Sequence, residues 1–222
     1  MNTQKVKLHY FNVNSRGSTA RALMTYGKIP YEEVYYDYGE KYKNWNEEKQ
    51  NFTFGFLPCL EVDGKRFFES MPIYFYLCRK IGRGLLGKTP EDEHKILELL
   101  CSFENWVSKW YAIGFANEEQ KKHKEEHKKV LYDLGIKWLT LYEKLYKENG
   151  AGKYYLGDSF TLADFFLANT FAGYFYNNKI SDEVFGKELQ KVAPNIYKII
   201  ERVRGNELKD VLEKTWNKES PI

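Results

Sequence analysis

Cysteine is scarce here: three residues in 222, at Cys59, Cys78 and Cys101. The count is odd, the spacing is wide and no Cys-x-x-Cys occurs, which argues against a disulfide framework or a structural zinc site and suits a reducing compartment. No apolar run approaches the roughly 20 residues that cross a bilayer. No signal-like apolar stretch precedes residues 5–11, where structure is expected to begin at once, so a cytoplasmic protein with no membrane association is expected. Charge of one sign is missing too: 34 bases against 31 acids leave +3, too balanced to imply nucleic acid. There is no internal repeat, no low-complexity tract, no phosphate-cradling loop and no nucleophilic serine motif. One metal-like pattern, His123-Lys124-Glu125-Glu126-His127, sits in a stretch (residues 121–129) made only of basic, acidic and histidine residues. Catalytic zinc needs a sheltered cavity and a third ligand. A solvated helical face is the reading, and no metal is expected.

What is present is ample material for a core: 43% hydrophobic residues, 17% aromatic, with 29% charged to solvate the surface. The first eighty residues mix strand and helix signals. Residues 5–11 read as a strand. Residues 16–27 read as a helix, with Ala20, Leu23 and Met24 at helical spacing and Gly27 as its stop. Residues 31–38 are β-prone, 42–50 suggest a short polar helix, and 59–62 with 65–68 form a hairpin across Asp63-Gly64. Residues 71–81 place Ile73, Leu77 and Ile81 on one helical face. The order is β-α-β-α-β-β-α. Three glycines and a proline between Gly82 and Pro90 then mark a break. Beyond it the pattern is helical throughout. One stripe is Ile96, Leu99, Leu100, Phe103, Val107 and Trp110; another is Leu131, Leu134, Trp138, Leu141 and Leu145. The expected division is 1–82, a linker at 83–90, and an all-α unit at 91–222. In residues 162–176, apolar on nearly all sides, Thr161 and Asp164 fit a capping box and Phe160 with Phe165 a hydrophobic staple.

The stretch from Phe56 to Ser70 concentrates the chemistry. Pro58 fixes a backbone edge that can pair with an extended peptide. Glu69 can meet an ammonium. Ser70 and Pro72 open a helix whose free N–H groups can hold a carboxylate. A short zwitterionic peptide has all three complements.

Several ordered blocks carry a resemblance. They are Lys7-Leu8-His9-Tyr10-Phe11-Asn12, the run from Phe54 to Gly64, Glu69-Ser70, and Gly157-Asp158-Ser159-Phe160-Thr161-Leu162-Ala163-Asp164-Phe165. Together they resemble the cytosolic glutathione transferases, most closely the sigma class with its prostaglandin D synthases and S-crystallins. The resemblance implies a thioredoxin-like N-terminal domain, an all-α C-terminal domain and a homodimer. It implies glutathione as co-substrate and a small hydrophobic electrophile between the domains.

Carried over by position, Tyr10 donates a hydrogen bond to the glutathione sulfur and favours the thiolate, the nucleophilic form. Arg16 steadies that pair. Leu57 pairs with the cysteinyl backbone beside a cis Pro58, while Cys59 is a core residue. Ser70 caps the helix and holds the γ-glutamyl carboxylate; Trp45 and Lys49 attend the glycine end. Three positions depart from the sigma pattern. Glu69 replaces a glutamine, Asn105 beside Glu104 replaces an aspartate lent by the partner subunit, and Phe56 stands where many relatives offer a polar or basic side chain. Glu69 is expected to supply the missing anion. Asn12, Val13, Val107, Trp110 and Tyr111 are the co-substrate candidates. The implied activity is conjugation, peroxide reduction or isomerisation. The alternative is a non-catalytic structural or assembly subunit of the same fold.

Overall fold

The computed structural model describes residues 4–82, 84–114, 124–175 and 182–216, and side chains over 110–132 and 174–186 lie outside the described residues. The chain begins with β1 (Val6–Phe11), α1 (Arg16–Tyr26) and β2 (Glu32–Asp37). Next come β3 (Lys43–Asn44), α2 (Trp45–Glu48), a 3-10 turn (Lys49–Asn51), β4 (Cys59–Val62), β5 (Lys65–Phe68) and α3 (Ser70–Ile81). The sheet runs β3-β2-β1-β4-β5, with β1 parallel to β2 and antiparallel to β4. The β4–β5 hairpin has the expected bounds because its turn is local chemistry: Asp63 and Gly64 both take positive φ (50° and 79°). The short helix expected at 42–50 proves composite. Lys43 and Asn44 pair with the β2 end first, and Asn44 then caps α2 by accepting the Asn46 N–H at 3.0 Å. Gly27 does end α1, but with right-handed φ of −75°.

Among the described residues, named strands stop before the Gly82–Pro90 break, and only two isolated bridges follow. The helical half comprises α4 (Pro90–Gly114), α5 (Lys124–Glu148), α6 (Leu162–Phe166), a π turn (Leu167–Phe171), α7 (Ala172–Phe175), α8 (Asp182–Val192), α9 (Pro194–Gly205) and α10 (Lys209–Thr215). The expected 162–176 helix is thus broken in register by the π turn. On α4 the stripe from Ile96 to Val107 is buried, joined by Trp106. On α5 the stripe is rotated: Leu139, Tyr142 and Tyr146 are inside, and Leu141 is exposed. Gly135 shares that inner face, where an added Cβ would lie 3.4 Å from the Trp106 indole. His123 lies outside the described residues.

One buried core runs from β1 through α1 and α3 into the helical half. A smaller aromatic cluster of Tyr36, Trp45 and Phe52 with Cys59 covers the other sheet face. Burial pushes the Cys59 thiol up to about 11, which fits a packing role. At the α6 start Asp164 is fully buried and accepts from the Tyr155 N–H (2.7 Å), the Thr161 N–H (2.9 Å) and the Thr161 hydroxyl (3.1 Å). The Phe160 and Phe165 rings meet at 5.7 Å, completing the staple. No described helix is long and apolar enough to cross a membrane.

Candidate active site

The junction of the sheet with α4 leaves a cleft of about 530 Å³ whose wall includes Arg16, Leu57, Pro58, Glu69, Ser70 and Glu104. Local chain chemistry positions each. The Leu57–Pro58 peptide is cis. Among the described residues no hydrogen bond engages the Leu57 backbone N–H or C=O, so that edge offers a donor and an acceptor. Ser70 is the first residue of α3 and Glu69 holds the cap position, one residue before the expected cap. Pro72 has no N–H and the Ile73 N–H already donates to the Glu69 carbonyl at 3.1 Å. The donors at this helix start are therefore Ser70 and Met71, both on the cleft wall. Glu69 sits at φ 66°, ψ 130°. A side chain there costs about 1–3 kcal/mol, and such strain is characteristic of functional sites.

Behind this wall lies the end of β1. Tyr10 is 4% exposed and is not among the residues that line the cleft. Its ring occupies the space above Gly17, where an added Cβ would come within 2.2 Å of the Tyr10 ring. Arg16 opens α1 and meets Glu104 of α4 side-on: Nε donates to both carboxylate oxygens (3.2 and 3.0 Å) and a terminal nitrogen to Oε2 at 2.7 Å. This fork ties the two halves together at the cleft mouth. Tyr74, on α3, donates its hydroxyl to the Arg16 carbonyl. Burial holds the Tyr74 phenol well above its ordinary pKa; Glu104 and Tyr10 push the same way and Arg16 opposes them, so all four share one neighbourhood.

Family models cover both halves of the chain. A glutathione S-transferase N-terminal domain matches residues 6–79, and a glutathione S-transferase C-terminal domain matches residues 104–214. The chain is 32% identical to glutathione S-transferase 1 of Ascaris suum over 97% of its length and 96% of that protein. It is 32% identical to glutathione S-transferase 2 of Manduca sexta, covering 97% and 98%. Among solved structures, a Fasciola hepatica sigma class transferase superposes with a TM-score of 0.74 at 25% identity, covering 97% of this chain and 99% of that one. The chain belongs to the glutathione S-transferase family.

Like Tyr10, several other residues that the sequence marks for the transferase site do not line the cleft. Trp45 is 5% exposed, packed edge-on against Tyr36 and Phe11. That aromatic cluster sets the direction of its indole. Lys49 is exposed on the 3-10 turn, and Asn105 is exposed on α4; neither is on the cleft wall. Val107 is fully buried and has no surface to offer a co-substrate. Asn12 donates to the Tyr42 hydroxyl at 3.1 Å, and Val13 is half-buried in the same loop. The side chains of Trp110 and Tyr111 lie outside the described residues.

Three residues of this transferase go unmarked by the sequence reading. Arg21 is 3% exposed; its Nε donates to Glu33 (2.9 and 2.8 Å) and its terminal nitrogens to the Val13 and Phe11 carbonyls, both at 2.8 Å. It also stands against the Tyr10 and Tyr35 rings at 5.6 and 5.7 Å. Arg21 therefore fixes the β1–α1 loop and packs against the Tyr10 ring. Gly17 makes room for the phenol, and Tyr74 braces Arg16. Arg21 falls inside the apolar repeat of α1, and a cation there is the available signal. Gly17 and Tyr74 carry none in a single sequence.

Proposed function

We propose that this transferase binds glutathione in the cleft and ionises its thiol for attack on a hydrophobic electrophile. The observation that carries this is the convergence on one wall of the free Leu57 edge, the Ser70–Met71 donors, the Glu69 carboxylate and the Arg16–Glu104 fork. The γ-glutamyl carboxylate accepts from Ser70 and Met71 at the positive end of α3. Its ammonium meets Glu69, the in-subunit anion where Asn105 carries none. The cysteinyl backbone pairs with Leu57, which turns the sulfur toward Tyr10 and Arg16. A phenol donating to the sulfur favours the thiolate, and the Arg16 cation adds to that. In conjugation to an aromatic halide, sulfur forms the new bond to carbon, halide leaves and the thiol proton goes to solvent. Holding both reactants in one cleft contributes further to the rate.

The likeness to a sigma class structure supports placement in that class, with a cytoplasmic homodimer and detoxification as the accompanying expectations. Residues 1–82 and 91–222 then act as the peptide-binding and co-substrate units about the linker at 83–90. The test compares turnover of a chromogenic aromatic halide by the wild type and Tyr10→Phe, alongside retention on immobilised glutathione. A lost hydrogen bond to a charged sulfur is worth about 1.5–3 kcal/mol, so turnover drops about 10- to 100-fold with retention intact. Equal turnover removes the role of Tyr10. Retention with no turnover by the wild type identifies the non-catalytic alternative.

A further inference from the structure

The start of α1 is held from the helical half of the chain. Ser15, its cap residue, is fully buried and sits at φ 119°, ψ −146°. A residue with a side chain keeps such a conformation only where its surroundings over-determine it, and such residues cluster at active sites. The surroundings here are a knot of buried hydroxyls. Ser18 donates its hydroxyl to the Ser15 carbonyl at 2.6 Å, and its N–H donates to the same oxygen at 2.9 Å. The Thr170 hydroxyl is bonded to that of Thr19 and lies 3.3 Å from the Ser18 hydroxyl and 3.4 Å from the Ser15 carbonyl. The neighbouring Asn169 amide donates to the Ser18 carbonyl at 2.8 Å. Asn169 and Thr170 are each 1% exposed, and both belong to the π turn between α6 and α7. Such turns are rare and recur at functional sites.

Each hydroxyl has one proton to donate. Ser18 directs its proton to Ser15, so Thr170 is the group that can accept from Thr19 and donate toward Ser15 and Ser18. Arg16 follows Ser15 directly, and Tyr74 of α3 donates to its carbonyl. Neither Asn169 nor Thr170 lines the cleft, so any effect they have on the reaction is exerted through α1. We propose that Asn169 and Thr170 are positioning residues: the π turn clamps the strained start of α1 and so sets where Arg16 stands relative to the thiol. This rests on the role proposed above for Arg16. Glu104 holds the guanidinium at one end of the side chain, and the clamp holds the backbone at the other. Without the clamp Ser15 relaxes toward an ordinary backbone conformation and Arg16 shifts with it, and small displacements of a reacting constellation are costly in rate.

Thr170→Val keeps the shape of the side chain and removes the hydroxyl; Thr170→Ser keeps the hydroxyl; Asn169→Leu removes the amide donor. Turnover of an aromatic halide is measured across pH at saturating glutathione, for each variant alone and for Thr170→Val and Asn169→Leu in an Arg16→Gln background, with urea unfolding alongside. In Thr170→Val, kcat falls about tenfold while KM for glutathione stays within about twofold, because Ser70, Met71 and Leu57 stand on other elements. The acid limb of kcat/KM for the halide moves to higher pH, as it does for Arg16→Gln, and Thr170→Ser restores both. Asn169→Leu acts in the same direction and carries the test should Thr170→Val not fold. Added to Arg16→Gln, either substitution moves the limb no further, because the two act through one group. Lower stability with kcat and the limb unchanged overturns the proposal and leaves the knot as packing alone. A full additive displacement in the Arg16→Gln background overturns it too. If Arg16→Gln by itself leaves the limb in place, the fault lies in the role proposed for Arg16, and the clamp falls with it.

Discussion

Helix α1 carries two arginines five residues apart, and they do opposite work. Arg21 points into the protein and spends its donors on Glu33 and two carbonyls of the β1–α1 loop. Arg16 points to the cleft mouth, is about one quarter exposed, and meets Glu104 across the two halves of the chain. One charge is buried and holds the β1–α1 loop; the other is left near water, where the proposed mechanism puts it to work. A buried charge is tolerated only when its partners are complete. A working charge must keep part of its field available to a ligand. The helical half has its own builder in Asp164, buried with three donors, while Glu69 at the cleft stays exposed.

The comparison breaks most visibly at Arg21. Arg21→Ala leaves Glu33 without its cation and two loop carbonyls without donors. The expected loss is about 3–5 kcal/mol, the range for breaking one side of a buried pair. Urea unfolding measures it. Activity should fall as well, because the Tyr10 ring loses the guanidinium packed against it. A loss below 1 kcal/mol would place Arg21 with the working charges.

Asp164 gives a smaller effect with a distinctive pH signature. Asp164→Ala strands three donors and removes the helix cap, costing about 2 kcal/mol at neutral pH. Burial pushes the carboxyl up from 3.8 to about 6 in the folded protein. The folded state therefore holds the proton more tightly than the unfolded chain. The stability linked to this proton is fully present below 3.8 and is lost as pH rises through 6. The gap between the two pKa values is worth about 3 kcal/mol. The deficit of Asp164→Ala relative to wild type should widen from pH 7.5 to pH 4.5 in parallel urea titrations. A deficit that shrinks on acidification would mean that the ionised carboxylate is the favoured buried form.

This division also explains what could be read from the sequence. The β4–β5 hairpin, the α3 start and the α6 cap are legible because short-range chemistry decides them: Asp63-Gly64 in the turn, Pro72 after Ser70, Asp164 three residues after Thr161. Cleft residues on those elements were found with them. Arg21 was not, because its partners are carbonyls of residues 11 and 13 that converge only after β1 and α1 pack. Trp45 and Lys49 match a motif by position; the structure buries the indole in the Tyr36–Phe52 cluster and leaves the lysine exposed on the 3-10 turn, surroundings that the motif does not specify. The α5 stripe is rotated onto Leu139, Tyr142 and Tyr146, a packing against neighbouring helices that periodicity alone does not encode.

The finest test concerns how much of the Arg16 charge reaches the thiol. Glu104 holds Arg16 by a two-point grip, yet both side chains are about one quarter exposed. Exposed pairs contribute about 1 kcal/mol or less, so Glu104→Gln should change unfolding little. Its electrostatic consequence is sharper. Removing the anion leaves the Arg16 cation less compensated, which favours thiolate over thiol. The acid limb of the pH profile of kcat/KM should move to lower pH by a few tenths of a unit, as expected for a charge acting through a partly solvated gap. Arg16→Gln should move it the other way, because the remaining Glu104 then disfavours the thiolate. Opposite displacements at near-constant stability would mark Arg16 as a working charge. Limbs that do not move in either variant would assign the fork to joining α1 with α4, and leave sulfur activation to Tyr10.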